Sequence, residues 1–253
     1  MSNIALLIIG SEIVRGDIRD TNGSFLQEKI KELKHDIKGI FYVVDDKRIV
    51  KKTMAFIVSK LNPDFLVISG GLGPTPDDVT LEAYAETFDK KLVISRKVEE
   101  RIKKKIKVVY SEDDRKMARI PEGSRILKNE QGFAPGIVDF IKGKNKQVKV
   151  ILLPGPPREL QWIFENEIKN KVIKRELTHN IELEEVKLKL VIGETDESAL
   201  TQIMERLKRE YEVEISSYVQ LNDAIKITFK GNKTNVKNAK TIFSKKFEEY
   251  IIK

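Results

Sequence analysis

The stretch Ser69-Gly70-Gly71-Leu72-Gly73-Pro74-Thr75-Pro76-Asp77-Asp78-Val79-Thr80 carries the densest chemistry in the chain. Glycines without a Cβ let backbone N–H groups approach a ligand closely. Asp64 to Ile68, an apolar β-branched run, reads as a buried strand before it. Leu81 to Phe88 reads as a helix after it, with Asp78 or Thr80 near its N-cap. The helix start adds unpaired donors and a partial positive charge, which suits a phosphate held by the amides of residues 70–73. Asp77 and Asp78 repel phosphate unless a cation lies between them, and hard divalent ions bridge carboxylates to phosphate oxygens. The pattern therefore predicts a metal-assisted nucleotide or phosphate site. Its plainer alternative is a strand-to-helix turn with an acidic cap.

Two further loops have the same setting. Ile4 to Ile9 reads as the first buried strand and runs into residues 10–23, rich in turn-forming and hydrogen-bonding side chains. Glu12, Asp17 and Asp20 there suit metal ligation, ribose orientation or capping. Ile37 to Val44 reads as a second strand, and Asp46 after it is equally a metal ligand or the cap of the next helix. Val148 to Leu153 is another buried strand, ending in Pro154-Gly155-Pro156-Pro157-Arg158-Glu159. Loops at the carboxyl ends of strands in open α/β sheets are where ligands bind, so the three loops are expected to surround one cleft.

The positioning elements follow from periodicity. Helices are expected over Ser24 to Leu33 (capped by Asn22 or Ser24), Lys47 to Leu61, Val98 to Val109 and Asp113 to Ile120, with another from Leu160. The basic run Arg101 to Lys107 reads as a solvated face. Residues 125–129 and 137–140 read as a hairpin. Strands alternating with helices argue a parallel sheet covered on both faces. Composition shifts at Lys174 to Asn180, which divides the chain into domains 1–173 and 181–253. The second reads as a small α+β unit of β-α-β-β-α order, its last two strands joined by Asn222-Asp223. That order is shared by KH-type and ferredoxin-like modules, but no GxxG loop supports RNA binding.

Composition narrows the chemistry. The 253 residues hold no cysteine and two histidines, His35 and His179, so thiol chemistry is excluded and a His-based triad or zinc site is not expected. Net charge is +8, but the lysines are spread among glutamates, so a solvated, thermophile-like surface is expected and nucleic-acid binding is not. No apolar run reaches membrane-spanning length and the first ten residues lack signal-peptide character, which predicts a cytoplasmic protein.

Taken together, Gly10-Ser11-Glu12 with Gly16 to Asn22, Gly70 to Thr75 with Asp77 to Thr80, Ala134-Pro135-Gly136, and Leu153-Pro154-Gly155 with Pro157-Arg158-Glu159 resemble the CinA-like (competence/damage-inducible protein A) family. The resemblance covers about residues 4–170, the family's MoaB/MogA-like molybdopterin-binding domain. Residues 185–253 are similar to the KH-type domain that follows in that family, with Gly193 to Ser198 standing where a Gly…Glu-Ser segment is common. A nicotinamide-nucleotide deamidase domain has no counterpart in these residues, so that activity is not expected.

The resemblance implies a three-layer α/β/α fold around a mostly parallel sheet and a nucleotide or pterin-phosphate ligand. It further implies hydrolysis of a pyrophosphate such as ADP-ribose, with Mg²⁺, Mn²⁺ or Co²⁺, potassium as an assisting ion, and a homodimer. It sets Asp78 at the place of the functional aspartate; with the carboxylates beside the glycine loop, catalysis is expected at Asp78, Asp77 and Asp20, and the metal at Asp77, Asp78, Glu12 and Asp46. Binding falls to Gly70, Gly71, Leu72, Gly73, Thr75, Asn22, Gly136, Pro154, Gly155 and Glu159. The alternative it implies is molybdopterin or molybdopterin–AMP binding, or adenylyl transfer. In molybdopterin adenylyltransferases an arginine stands at Asp77 and a threonine at Leu72. The added negative charge favours metal-dependent pyrophosphate chemistry. Phe133 stands where the family often has a small residue.

Overall fold

The near-continuous apolar runs of the first unit pair side by side, as expected for strands buried on both faces. A computed structural model describes residues 2–106, 109–173, 183–191, 197–219 and 224–251. The chain divides into two compact units, 1–177 and 178–253. The expected boundary at 174–180 lies outside the described residues.

The first unit runs β1 (Asn3–Ile9), α1 (Ser11–Arg15), α2 (Asn22–Glu32), β2 (Asp36–Val43), α3 (Lys47–Phe56), β3 (Phe65–Ser69), α4 (Thr80–Phe88) and β4 (Leu92–Ile94). It continues through α5 (Arg96–Lys105), α6 (Glu112–Lys116), β5 (Arg119–Pro121), β6 (Arg125–Leu127), β7 (Gly136–Lys142), β8 (Gln147–Leu153) and α7 (Pro157–Ile163). Six strands form one sheet in the order β2-β1-β3-β8-β7-β6. β2, β1, β3 and β8 are mutually parallel, β7 runs antiparallel to β8, and β6 runs antiparallel to β7 and so points the same way as β8. The sheet is thus mostly parallel, and helices cover both its faces.

Alternation along the strands feeds two cores. Leu7, Ile9 and Ile68 face Met54 and Tyr84 on one side, with Val98 and Ile102 in the same cluster. Leu6, Ile8 and Val67 face Leu26, Ile30, Leu160 and Phe164 on the other. Each such fully buried side chain contributes about 1.5–3 kcal/mol. A one-residue slip of β1 would exchange the two sets.

Several boundaries differ from those expected. The first loop contains the short helix α1, and α2 begins at Asn22 rather than Ser24. Lys47 to Leu61 is α-helical only to Phe56 and then widens into a π-helical turn, Ile57–Leu61. α5 begins early, where Ser95 Oγ accepts from Val98 N, and is helical only to Lys105. The expected helix 113–120 is only α6, because Arg119–Pro121 pairs antiparallel with β4.

The second unit contains β9 (Leu183–Val191), α8 (Glu197–Tyr211), β10 (Glu214–Val219), β11 (Ala224–Asn232) and α9 (Lys233–Lys246). Its antiparallel sheet has the order β10-β11-β9. Ile227 and Phe229 pack against Leu207 of α8 and Val236 and Phe243 of α9. Gly193 to Asp196 and the Asn222-Asp223 turn lie outside the described residues. No helix among the described residues is long and apolar enough to cross a membrane.

Candidate functional site

Because β1, β3 and β8 are parallel neighbours, the loops that follow them leave the same edge of the sheet. They enclose a cleft of about 490 Å³ whose lining comes from residues 9–22, 70–78, 133–134 and 154–159, with Asp45 and Met117. The start of β7 joins this edge because β7 is antiparallel to β8.

The glycine loop is built by close contacts. Gly70 has φ +104°, and a Cβ there would stand 2.1 Å from the Ile9 carbonyl oxygen. Gly71 has φ +66°, and its Cβ would stand 2.2 Å from Thr80 Oγ1. Only glycine fits either place without strain. Thr80 fastens the loop from the start of α4: its Oγ1 donates to Gly70 O at 2.8 Å and its N to Gly71 O at 3.1 Å. The Gly70 N–H is spent on Leu153 O. Among the described residues no hydrogen bond occupies the N–H groups of Gly71, Leu72 or Gly73, which leaves three donors beside the cleft.

Asp78 does not cap α4. Its Oδ2 accepts from Thr75 N at 2.9 Å and Thr75 Oγ1 at 2.7 Å, which folds the carboxylate onto Gly73. Asp77 and Asp78 both line the cleft. Lys116, at the end of α6, braces the loop by donating to Thr75 O at 3.0 Å and to Asp78 O.

Asn22, 4% exposed, sits in the first turn of α2. Its Nδ2 donates to Ser69 Oγ at 3.1 Å and Gly155 O at 2.7 Å. Its buried Oδ1 has no partner. Asp20 receives Gly23 N on Oδ1 and Tyr42 Oη on Oδ2, both at 3.0 Å. Burial and the hydrogen bond to Asp20 push the Tyr42 phenol up from its ordinary value.

The third side of the cleft is held from a distance. Glu159, in the first turn of α7, accepts from Asn129 Nδ2 at 2.6 Å, and Asn129 Nδ2 also donates to Ala134 O at 2.7 Å. Burial raises the Glu159 carboxyl above the ordinary range, against the opposing pull of Asn129, Lys105 and Arg101. Arg101 donates to the carbonyls of Asn129 and Phe133, and Lys105 to those of Glu130 and Gly132 at 3.1 Å. The basic run read as a solvated face thus clamps a cleft loop, with Arg101 and Lys105 one helical turn apart.

Most of the expected residues converge: Glu12, Asp20, Asn22, Gly70 to Gly73, Asp77, Asp78, Pro154, Gly155 and Glu159 all line the cleft. Three of the assigned positions lie elsewhere. Asp46 caps α3, accepting from Arg48 N at 2.8 Å and Ile49 N at 3.2 Å. Its neighbour Asp45 turns to the cleft instead, where Oδ2 accepts from Ser11 N at 2.7 Å. Thr75 serves Asp78 from outside the lining, and Gly136 is buried in β7 opposite Leu127. Sequence reasoning missed Asp45, Asn129, Lys116 and the Arg101–Lys105 pair. Only the doubled Asp45-Asp46 and the i,i+4 spacing of the two cations left a trace.

Among the described residues, six carboxylates line the cleft (Glu12, Asp20, Asp45, Asp77, Asp78, Glu159), with Arg19 the one cation beside them. Among the described residues no group of three or more His, Asp or Glu side chains is close enough to hold a metal alone. A cation here would take one or two carboxylates and complete its shell with ligand phosphate oxygens and water, the usual arrangement for Mg²⁺. Asp77 and Asp78, beside the three free amides, fit that role.

Comparison with known proteins places this geometry among relatives. A model of the probable molybdopterin binding domain matches residues 5–175. Protein TK1472 of Thermococcus kodakarensis is 38% identical over 222 residues, spanning 84% of this chain and 83% of its own length. A putative competence-damage inducible protein of Caldicellulosiruptor bescii is 34% identical over 206 residues, spanning 76% of this chain and 49% of its own. The match thus spans about half the length of that relative. Among solved structures, the protein CinA with unknown function from Thermoplasma acidophilum superposes with a TM-score of 0.58 at 32% identity, covering 64% of this chain and 94% of its own.

Proposed function

The chain belongs to the family of the probable molybdopterin binding domain, and from that premise we propose that its cleft is a metal-dependent nucleotide pyrophosphatase site for ADP-ribose-like dinucleotides. One observation carries the reading: free N–H donors at Gly71 to Gly73 and the paired carboxylates Asp77 and Asp78 lie in a single loop of the cleft. Amides of that kind favour an anion. Two carboxylates beside them repel it, and the conflict is resolved when a divalent cation joins the two.

In this reading the amides of Gly71, Leu72 and Gly73 hold nonbridging oxygens of one phosphate. Asp77 and Asp78 would hold the cation, and Asp20, fixed by Gly23 N and Tyr42, lines the same cleft. A bound divalent ion supplies charge neutralisation at phosphorus and a lowered pKa for the attacking water. Water adds to one phosphorus as the bridging P–O bond breaks, so ADP-ribose yields AMP and ribose 5-phosphate. The fixed amides stabilise the charge that spreads over the equatorial oxygens.

Binding of molybdopterin or its AMP derivative, or adenylyl transfer to it, is the second reading, and the family match over residues 5–175 favours it. The test is release by the full chain of AMP from ADP-ribose or FAD, or of adenosine 3′,5′-bisphosphate from coenzyme A, with and without Mg²⁺, Mn²⁺ or Co²⁺. Metal-dependent release that Asp78→Ala abolishes supports the hydrolase. No release with any cation overturns it and leaves pterin binding, scored by calorimetry.

A further inference from the structure

The two ends of the cleft differ in kind. Sheet order places the carboxyl ends of β1, β3 and β8 and then the start of β7 in a row. At about 4.8 Å per strand, the β7 end lies roughly 10 Å from the glycine loop, close to the span from phosphate to base in a nucleotide. The β1 and β3 loops bring carboxylates and free amides, whereas the β7 end brings an aromatic ring. Phe133 lines the cleft and is 40% exposed, a large exposure for a phenylalanine. Beside it lies the Glu159 carboxylate, packed so closely on the preceding residue that a Cβ on Gly132 would stand 2.0 Å from Glu159 Cδ. Asn129 ties Glu159 Oε2 and the Ala134 carbonyl to one amide, while Arg101 holds the Phe133 carbonyl. The loop that carries the ring is therefore braced against the carboxylate from the first turn of α7.

We infer that Phe133 and Glu159 form a ring subsite, which stacks a planar nitrogen heterocycle and accepts a hydrogen bond from its exocyclic amino group. The inference deepens the nucleotide reading and rests on the cleft being a ligand site. Stacking on an aromatic face accepts any flat base. The choice among bases falls to Glu159, because an ionised carboxylate is acceptor-only: it accepts from an amino group and repels an oxo group. The half-burial of Glu159 makes an unmade hydrogen bond costly there. Adenine carries such a group at position 6 and a pterin at position 2, so the chemistry is shared by two ring sources.

The experiment is calorimetric titration of the full chain at pH 8 with two pairs that differ only in amino against oxo: AMP against IMP, and pterin against lumazine. The amino member should bind about tenfold or more tightly, as in sites built to bond a donor. Glu159→Gln keeps the shape and an acceptor for Asn129, but its amide donates to an oxo group, so the ratio should fall to about one. Phe133→Ala should weaken both members alike and leave the ratio unchanged. Selectivity in the purine pair supports a base subsite, and selectivity in the pterin pair alone supports the same subsite with a pterin as its ring. Equal binding within both pairs, or a ratio that survives Glu159→Gln, overturns the inference. Selectivity without AMP release would sink only the hydrolase reading, and release without selectivity would sink only the ring subsite.

Discussion

Asn22 and Gly155 meet through one hydrogen bond: Asn22 Nδ2 donates to the Gly155 carbonyl at 2.7 Å across 133 residues of sequence. The same nitrogen reaches Ser69 Oγ at 3.1 Å, so a single buried amide joins the ends of all three cleft loops. Its Oδ1 has no partner and lies in a residue that lines the cleft. Asn22→Ala should cost about 1–3 kcal/mol, the price of a buried acceptor and hydroxyl left unpaired. Urea denaturation measures this. Asn22→Asp should be worse than Ala for folding at neutral pH, since it sets a negative charge against the Gly155 carbonyl.

The glycines of the central loop are not equivalent to glycines elsewhere. Gly70→Ala and Gly71→Ala each combine positive φ with a Cβ closer than 2.5 Å to a neighbouring oxygen. Gly16 also has positive φ, +82°, but a Cβ there meets nothing within 4 Å. Gly16→Ala should therefore cost only the left-handed penalty of about 1–2 kcal/mol, and Gly70→Ala clearly more. Equal melting temperatures for the two variants would refute the close-contact account.

Neighbouring aspartates should separate by role. Asp77→Asn and Asp78→Asn should lower metal-dependent turnover by more than ~100-fold, since even outer-shell partners of a metal are worth 10–100-fold. Asp46→Asn should leave turnover intact and lower stability slightly, because the amide oxygen still caps α3 but the negative charge facing the two amides is lost. The Ile49 and Arg48 amides hold its carboxyl below the ordinary range. A depressed folded pKa contributes stability above the unfolded value, and that contribution is lost as pH falls through the folded one. The stability gap between wild type and Asp46→Asn should thus be open at pH 7 and closed in strong acid.

Glu159 has the opposite sign. Burial raises its carboxyl, so its folded form loses stability as pH rises through the folded pKa. Glu159→Gln should be more stable than wild type at pH 8, with the gain gone below the unfolded value near ~4.3. Denaturation midpoints across that range check it. A stabilising substitution inside a cleft is the pattern of a residue kept for binding.

Arg101→Ala together with Lys105→Ala should release the loop at 129–134 while α5 stays folded, because Val98 and Ile102 still bury its inner face. Hydrogen exchange should accelerate at residues 130–134 and not in β8. Uniform acceleration across the sheet would show that the pair supports the whole unit instead.

What could be read without coordinates was local. Runs such as Ala5 to Ile9 and Leu66 to Ile68 state their own burial, and Gly/Pro clusters at residues 70–76 and 154–157 state where strands end. Parallel pairing then had to bring those ends to one edge, since βαβ connections return each strand in the same direction. The sequence by itself therefore determined the α/β layering and the three loops of the cleft. Only the tertiary structure decided that Asp45 rather than Asp46 faces the ligand space, that Asn22 joins three loops, and that Arg101 and Lys105 hold a wall instead of meeting solvent. The physical reason is that side-chain direction at a loop is set by partners 25 to 133 residues away, and no local period encodes them.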